Sequence, residues 1–323
     1  RKVSIITGIL CTILVIFSPW MNVVYSDTLG MIFPVLILYL YLKINECNKV
    51  SNNIILSILI GIVSVIAFQV KPTNIVILIA IFISMIFYRM KNKEKILKYI
   101  GAIICIMISF CIGKYIYDNN VANIEVFGQR LDDNYSVVVP STHFLMMGMQ
   151  EQFDEENQAM TYGSWRQSDY FYTFSFSGKD ERVKAHISEI KNRLNNFGLK
   201  GYIKFLYNKA NWILHDGTFY YGGEGRFVYE QPSADNKLAE VIQEYYVPTN
   251  SGYVNIAYLN EGIWVVILFL VIISIIDKEK QREDIFILRL TITGIVIFLL
   301  FFEARSRYLI NHLPIFTLLS VYG

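Results

Sequence analysis

The side chains of this chain that could do chemistry are ionisable residues at the ends of long apolar stretches. Asp27 follows one stretch and opens the next, and Lys71 closes another. Glu303, Arg305 and Arg307 lie together between the last two stretches. Arginine binds phosphate through paired N–H donors, lysine binds it as a point charge, and a carboxylate can take a proton from a hydroxyl. The set therefore suits transfer chemistry on a phosphate-bearing ligand.

Membrane-spanning helices must position these residues. Hydrophobic residues make up 54% of the chain and the mean hydropathy is +0.40. Because a span needs roughly 20 mostly apolar residues, the pattern predicts an α-helical polytopic membrane protein with about eight transmembrane helices. The second and the last expected spans are short, which predicts a tilted or broken helix. The expected spans are Val3–Val24, Leu29–Leu42, Asn53–Val70, Asn74–Met90, Tyr99–Tyr117, Tyr253–Ile276, Ile285–Phe302 and Tyr308–Val321.

The loops between these spans fall into two alternating sets. One set is rich in lysine and arginine, with Lys43 and Lys49 among them. The other set holds Asp27, Lys71 and the acidic and basic residues at 303–307. Basic short loops stay on the cytoplasmic side of a membrane. We therefore expect the candidate residues on the outer face.

This orientation predicts three segments along the chain. Residues 1–117 and 253–323 are expected to form the transmembrane helices, and residues 118–252 an extracytoplasmic domain. Because long domains cross a membrane regardless of their charge, the basic residues of 118–252 do not conflict with this orientation.

The extracytoplasmic domain is predicted to be mixed but mainly helical. Helical spacing of apolar residues predicts helices at Asp180–Asn196 and Leu199–Leu214, with Gly198 as the stop between them. The second helix is amphipathic, and it either lies at the membrane surface or packs on its own domain. A short strand is expected at Tyr135–Val139.

Each candidate residue also has a structural interpretation. Arg305 and Arg307 can extend from a helix end to the membrane surface, and Lys71 can anchor a helix end. Glu303 can pair with either arginine. His143 is the most plausible ligand-binding histidine of the outer domain, with a structural histidine as its alternative.

A lipid-linked phosphate fits a site on the outer face. Its head group would lie at that surface, where cations stabilise the phosphate as a glycosidic bond breaks and a carboxylate deprotonates the acceptor hydroxyl. A net charge of +2 does not indicate a nucleic-acid partner. No histidine or cysteine spacing predicts a protein metal site. A divalent metal ion held between Asp27 and the lipid phosphate stays an open alternative.

Short motifs on the expected outer face carry a family resemblance. Tyr25-Ser26-Asp27-Thr28 opens a span, Lys71-Pro72-Thr73 closes another, and Glu303–Leu309 opens the last. Together with Thr142–Met149 and Asp216-Gly217-Thr218, these motifs resemble polyprenyl-phosphate-sugar-dependent GT-C glycosyltransferases. The nearest resemblance is to the glycosyltransferase family 39-like membrane proteins of Gram-positive bacteria.

The resemblance implies a GT-C-like fold and a polyprenyl-phosphate-linked sugar donor carried in the membrane lipid. It implies an extracytoplasmic acceptor, which is a wall polymer, another glycan, a glycolipid or a protein. Asp27 is then the candidate catalytic residue. The expected substrate-binding residues are Lys71, Arg305, Arg307, Glu303 and His143.

The assignment of the general base has two alternatives. Enzymes of this kind usually carry an acidic motif in their first external loop. The chain begins at Arg1 on the edge of a span, so we expect it to lack an N-terminal part that holds this loop. The base is then either in that loop or Asp27.

Two other functions stay open beside glycosyl transfer. One is a polysaccharide polymerase or ligase, and the other is a non-enzymatic transporter or flippase of lipid-linked sugars. Transporters place polar groups near the bilayer midplane. The expected spans are apolar at mid-depth and their ionisable groups gather at one end, which favours the enzyme.

Overall fold

A computed structural model describes residues 2–16, 18–89, 96–126, 129–130, 139–154, 159–224, 236–277 and 282–323. The chain is mostly helical and divides into two compact units. The first unit comprises Arg1–Phe110, His215–Ile295 and Ser306–Gly323, and the second comprises Cys111–Leu214 and Val296–Arg305. Residues 215–252 thus group with the apolar helices of the first unit.

The helices of the N-terminal part begin with α1 (Lys2–Cys11), which continues as a π-helix at Thr12–Ile16 and is followed by a 3-10 helix at Pro19–Asn22. The helices that follow are α2 (Ser26–Gly30), α3 (Ile32–Glu46), α4 (Val50–Val70), a 3-10 helix at Pro72–Ile75, α5 (Val76–Ser84), a π-helix at Met85–Arg89 and α6 (Ile96–Ala122).

Two short antiparallel pairs and a long kinked helix mark the middle of the chain. Strand β1 (Glu125–Val126) pairs with β2 (Gln129–Arg130), and β3 (Glu151–Asp154) pairs with β4 (Ala159–Tyr162) so that Glu151 faces Tyr162. The helices are α7 (Ser141–Met147), α8 (Gln167–Phe174), α9 (Lys179–Leu214), α10 (Tyr221–Glu224) and α11 (Lys237–Tyr246). The expected strand Tyr135–Val139 falls almost wholly outside the described residues.

The C-terminal part contains α12 (Tyr253–Ile276) and α13 (Glu283–Phe301). A 3-10 helix at Ser306–His312 and α14 (Leu313–Ser320) follow. The core of the first unit is apolar, and Ile37, Ile60, Ile77, Trp264 and Phe316 are all buried within it.

Within the described residues, five stretches of helix are long and apolar enough to cross a membrane. They are Ser26–Glu46, Val50–Val70, Ile96–Val121, Tyr253–Ile276 and Glu283–Phe301. Only 17% of the Ile96–Val121 window is buried, so most of its apolar surface faces outward, as a lipid-exposed helix requires. Two shorter apolar helices lie at Ile5–Val15 and Pro72–Tyr88.

The expected spans differ from these helices in four places. The first and fourth, Val3–Val24 and Asn74–Met90, correspond only to the shorter apolar helices at Ile5–Val15 and Pro72–Tyr88. The second was expected as the short segment Leu29–Leu42, but α2 and α3 together extend over Ser26–Glu46. Pro34 permits this because it lies in the first turn of α3, where a missing N–H breaks no helical hydrogen bond. The last, Tyr308–Val321, is broken into a 3-10 helix and α14.

Candidate functional site

The centre of the first unit's polar site is the carboxylate of Asp27, which bridges two cations. Its Oδ1 pairs with Lys71 Nζ, and its Oδ2 lies 3.2 Å from Arg307 Nε. The Asp27 side chain is 2% exposed, whereas those of Lys71 and Arg307 are 11% and 12% exposed. All three side chains are therefore largely buried, and the carboxylate is buried most completely. Together the three groups carry one negative and two positive charges, a net charge of +1.

Aromatic rings surround the two cations. The guanidinium carbon of Arg307 lies 4.0 Å from the centroid of the Tyr25 ring, 5.5 Å from Tyr308 and 5.9 Å from Trp20. Lys71 Nζ lies 4.0 Å from the centroid of Tyr308. Cation–π contacts favour the charged form of both side chains and limit their motion. We call Asp27, Lys71, Arg307 and these three rings the cation cluster.

Local sequence places Lys71 at the end of α4. Pro72 disfavours helical geometry in the residue before it, and Lys71 accordingly has φ −156° and ψ 119°. Its N–H still donates to Ala67 O at 2.9 Å, which closes the last turn of α4. The helix therefore stops where the lysine turns toward the carboxylate.

A buried contact of three residues sets the spacing of the elements that carry the cluster. The Asn311 side-chain amide donates to Asn74 Oδ1 at 2.5 Å, and Asn74 Nδ2 donates to Ala67 O at 3.1 Å. A Cβ atom on Gly30 would lie 2.1 Å from Asn311 Oδ1. Only a glycine lets α2 approach this closely. We call Gly30, Asn74 and Asn311 the asparagine clasp.

A strained turn that begins at Asp216 is hydrogen-bonded to Ser306, the residue before Arg307 of the cation cluster. Asp216 accepts hydrogen bonds from Thr218 N at 2.8 Å, Thr218 Oγ1 at 2.6 Å and Ser306 Oγ at 3.2 Å. Two non-glycine residues of the turn, Phe219 and Tyr220, have φ of 55° and 62°. Such conformations are costly and persist where the surroundings enforce them, often at functional sites.

The same turn lines an enclosed space within the first unit. Trp20 Nε1 donates to Thr218 O at 3.0 Å, and the Trp20 and Tyr221 rings meet edge to face at 5.4 Å. A cavity of about 210 Å³ is lined by Thr218, Tyr221 and apolar residues such as Leu14 and Leu259. Trp20 thus links the cation cluster to a partly apolar cavity.

The other three expected site residues belong to the second unit. Glu303 and Arg305 lie in its segment Val296–Arg305. The Glu303 N–H donates to Phe144 O at 2.7 Å, and the Ala304 N–H donates to Gly163 O at 2.9 Å. Of the six candidates, the structure brings Asp27, Lys71 and Arg307 into one site.

His143 is a buried member of a hydrogen-bonded network in the second unit. Its Nδ1 lies 2.6 Å from Thr173 Oγ1, which lies 2.9 Å from His186 Nε2. Burial lowers the pKa of His143, although the charge of Asp169 acts in the opposite direction. Burial, His143 and Arg182 lower the pKa of His186 to about 4. The network therefore holds neutral histidines.

Lys209 is a fully buried lysine of the second unit. Its Nζ donates to Gly148 O at 2.7 Å and to Phe302 O at 2.6 Å. Burial lowers the pKa of Lys209 to about 7, and the charge of Glu303 opposes this shift. Phe205 and Ile213 on the same helix are also buried, at 1% and 3% exposure. This burial fits the alternative in which Leu199–Leu214 packs on its own domain.

No metal site is evident in the part of the chain that the structure describes, since no group of three or more histidine, cysteine or acidic residues there could hold an ion.

Sequence reasoning missed several residues of the site. Asn74 and Asn311 each follow a candidate cation by one helical turn, a spacing that could have marked them. Tyr25 stands beside Asp27 in the motif but was not assigned a role. Trp20 has no such signal, because its partner Thr218 is remote in sequence.

The apolar helices of spanning length define the chain as an integral membrane protein. It belongs to the family described as conserved hypothetical integral membrane protein, which matches residues 1–323. Neither a curated protein nor a solved structure matches the chain.

Proposed function

We propose that the protein is a membrane glycosyltransferase that takes a sugar from a polyprenyl-phosphate carrier and transfers it to an extracytoplasmic acceptor. The observation that carries the proposal is the cation cluster, in which one enclosed carboxylate contacts two largely buried cations. A net charge of +1 in a largely buried site favours an anion as ligand. A phosphate also suits the paired N–H groups of arginine.

The surroundings of the cluster suit a lipid phosphate better than a soluble one. Tyr25, Tyr308 and Trp20 present rings at the ends of apolar helices, where aromatic residues prefer the boundary between lipid and water. Trp20 donates a hydrogen bond to Thr218, which lines the cavity together with Leu14 and Leu259. A phosphate at Arg307 would therefore leave the first part of an apolar chain beside this cavity.

We assign Asp27 a positioning role in this reaction. Each of its two oxygens faces a different cation, so the carboxylate sets where Lys71 and Arg307 stand. The two cations would then stabilise the phosphate as the glycosidic bond breaks.

The proposed topology has several crossings, with the cation cluster on the outer face. Asp27 and Glu46 lie at opposite ends of the stretch Ser26–Glu46, and Lys71 ends α4 on the same side as Asp27 because α3 and α4 follow each other in a hairpin. At the other end, Lys98 Nζ donates to Ile44 O at 2.8 Å and to Cys47 O at 2.7 Å. Basic residues gather there, which favours the cytoplasmic side.

The test combines binding and turnover on the full chain in lipid nanodiscs. Decaprenyl phosphate should bind and raise the unfolding temperature, whereas decaprenol, which lacks the phosphate, should not. Radiolabelled polyprenyl-phosphate sugars with a cell-envelope extract as acceptor should then yield labelled product. Binding without any turnover would contradict the enzyme and favour a carrier of lipid-linked sugars; equal binding of decaprenol would contradict the phosphate site.

A further inference from the structure

An open cleft in the second unit has the size and lining of a small-ligand site. It lies where β3 begins, beside the first residues of α8 and the end of the first half of α9, and its volume is about 390 Å³. Ligand pockets commonly measure about 300–1,000 Å³. Its polar lining consists of Gln150, Glu151, Arg166, Glu189, Arg193 and Asn196. We call it the Gln150 cleft.

The side chain of Gln150 carries an acceptor without a partner. Gln150 is 4% exposed, and its Nε2 donates to Ser164 O at 3.0 Å. That bond identifies the remaining atom of the amide as oxygen. Gln150 Oε1 is buried and accepts no hydrogen bond from the described residues. Since buried polar groups are nearly always satisfied, this oxygen calls for a donor from outside the chain.

The guanidinium of Arg193 is held by four hydrogen bonds and has one further N–H donor. It contacts both oxygens of Asp169 at 2.8 and 2.9 Å, Glu189 Oε1 at 2.8 Å and Met146 O at 2.9 Å. A guanidinium has five N–H groups, so these four bonds leave one N–H on Nη2 within the described part of the chain. The two residues that carry this donor and this acceptor, Arg193 and Gln150, both line the cleft.

The charges of the lining favour a neutral ligand. Arg166 and Arg193 are matched in number by Glu151 and Glu189, so a strongly anionic or cationic ligand would meet residues of like charge in the lining. The ring of Phe197 also lines the cleft and packs against Phe205 at 4.9 Å, which gives it a fixed orientation. Polar groups that both donate and accept beside an aromatic surface match a chain of sugar rings, with hydroxyls at the edges and C–H groups on the faces.

We propose that the Gln150 cleft binds a neutral, hydroxyl-rich ligand, a segment of a glycan chain. Hydroxyls of the ligand would donate to Gln150 Oε1 and accept from Arg193 and Asn196, while one sugar ring covers Phe197. That this glycan is the acceptor of the transfer reaction rests on the proposed function; the binding does not.

The test measures binding of soluble tetrasaccharides to the full chain in nanodiscs by isothermal titration. The probes are cellotetraose and chitotetraose, with tetragalacturonate as the anionic comparison. At least one neutral probe should bind saturably and more tightly than tetragalacturonate. Asn196→Ala and Arg166→Gln should each weaken that binding about threefold to tenfold, the range for one lost hydrogen bond.

Matched controls separate the cleft from general effects on folding. Asn195→Ala and Lys200→Ala, on exposed residues of α9, should leave binding unchanged. Gln150→Ala should abolish binding, and Asn196→Ala keeps the test decisive if that variant fails to fold. No binding of either neutral probe, preference for tetragalacturonate, or equal loss in the Asn195 and Asn196 variants would overturn the proposal.

Decaprenyl phosphate binding by the same preparations distinguishes the two proposals. If glycan binding fails while lipid-phosphate binding persists, the cleft assignment is wrong and the proposed function is untouched. If glycan binding holds while lipid-phosphate binding fails, the cleft stands as a glycan site and its role in transfer is withdrawn.

Discussion

Asn74 and Asn311 meet through a single side-chain hydrogen bond of 2.5 Å, and each follows a cation of the cluster on its own element. Asn74 lies in the 3-10 helix that begins after Lys71, and Asn311 lies in the 3-10 helix that contains Arg307. Both asparagines are fully buried. A fixed distance between them therefore fixes where the two cations stand, at the ends of elements that are far apart in sequence.

The first prediction concerns Gly30, which lets α2 approach the asparagine clasp. In Gly30→Ala, the new Cβ would lie 2.1 Å from Asn311 Oδ1 and 3.1 Å from Asn74 Nδ2, so the clasp must open. We expect a loss of about 1–3 kcal/mol of stability, as for other overpacked sites, together with weaker lipid-phosphate binding. Thermal unfolding in nanodiscs measures the first and titration the second.

Gly101→Ala is the control for this prediction, since a Cβ there has no neighbour within 4 Å. Replacement of an unhindered helical glycine by alanine should stabilise α6 by up to about 1 kcal/mol. Equal effects of the two substitutions would contradict the role of Gly30.

The second prediction concerns the bridging carboxylate. Asp27→Asn keeps the shape of the side chain but leaves Lys71 and Arg307 without their shared negative charge. Breaking a buried ion pair typically costs about 3–5 kcal/mol, so the unfolding temperature should fall. A bound lipid phosphate should restore part of that loss by supplying the missing charge.

Turnover distinguishes the roles of Asp27. A positioning residue predicts partial loss of transfer in Asp27→Asn, with the remaining activity rising at higher donor concentration. Complete loss at saturating donor would make Asp27 a catalytic residue, and unchanged turnover would exclude it from the reaction.

The third prediction concerns Arg307. Arg307→Ala should weaken decaprenyl phosphate binding roughly 10- to 150-fold, which corresponds to about 1.5–3 kcal/mol for a charge-assisted hydrogen bond. Arg307→Lys should recover little, because lysine lacks the paired donors of a guanidinium. Lys43→Ala, at an exposed lysine paired with Glu46, should bind normally. Binding by Arg307→Ala within twofold of the wild type would exclude this residue as the phosphate ligand.

The sequence predicted part of this fold well because the relevant signals are local. Apolar length placed the helix Tyr253–Ile276 at its observed bounds, and Gly198, with φ of 59°, divides α9 where a stop was expected. Charged residues at span ends pointed to Asp27, Lys71 and Arg307, since such residues are rare at membrane depth. The same signal also pointed to Glu303 and Arg305, which lie in the second unit.

The rest depended on contacts between remote segments. His186 is a polar residue of an amphipathic helix, yet it is fully buried against Thr173 because α8 packs on that face. Lys209 follows the polar spacing of an amphipathic helix, yet two backbone carbonyls from distant parts of the chain enclose it. Periodicity reports which residues share a face, and it does not report what covers that face.

The fourth prediction concerns orientation in the membrane. With Cys11, Cys105 and Cys111 replaced by serine, Cys47 should react with an impermeant maleimide only after cells are permeabilised. In the same background with Cys47→Ser, Lys200→Cys should react in intact cells, because Lys200 is an exposed residue of the second unit. The reverse pattern would place the cation cluster on the cytoplasmic face and remove the basis for an extracytoplasmic acceptor.

The fifth prediction concerns the pH dependence set by Lys209. The lysine has a pKa of about 7 in the folded protein against an ordinary value of 10.5. Above about pH 7 the unfolded chain therefore binds a proton that the native state has released, and stability rises with pH. The slope should approach about 1.4 kcal/mol per pH unit between pH 7 and 9. Thermal unfolding across that range measures it.

Lys209→Met should flatten this slope, since methionine fills similar space and does not titrate. The substitution removes two hydrogen bonds, to Gly148 O and Phe302 O, and this loss should lower stability at pH 9. At pH 6 the net loss should be smaller, because the substitution also removes the cost of burying a charged lysine. Lys200→Met, on the exposed side of α9, should keep the wild-type slope. Parallel pH profiles for the wild type and Lys209→Met would show that Lys209 stays protonated throughout, held by its two carbonyl acceptors rather than neutralised by burial.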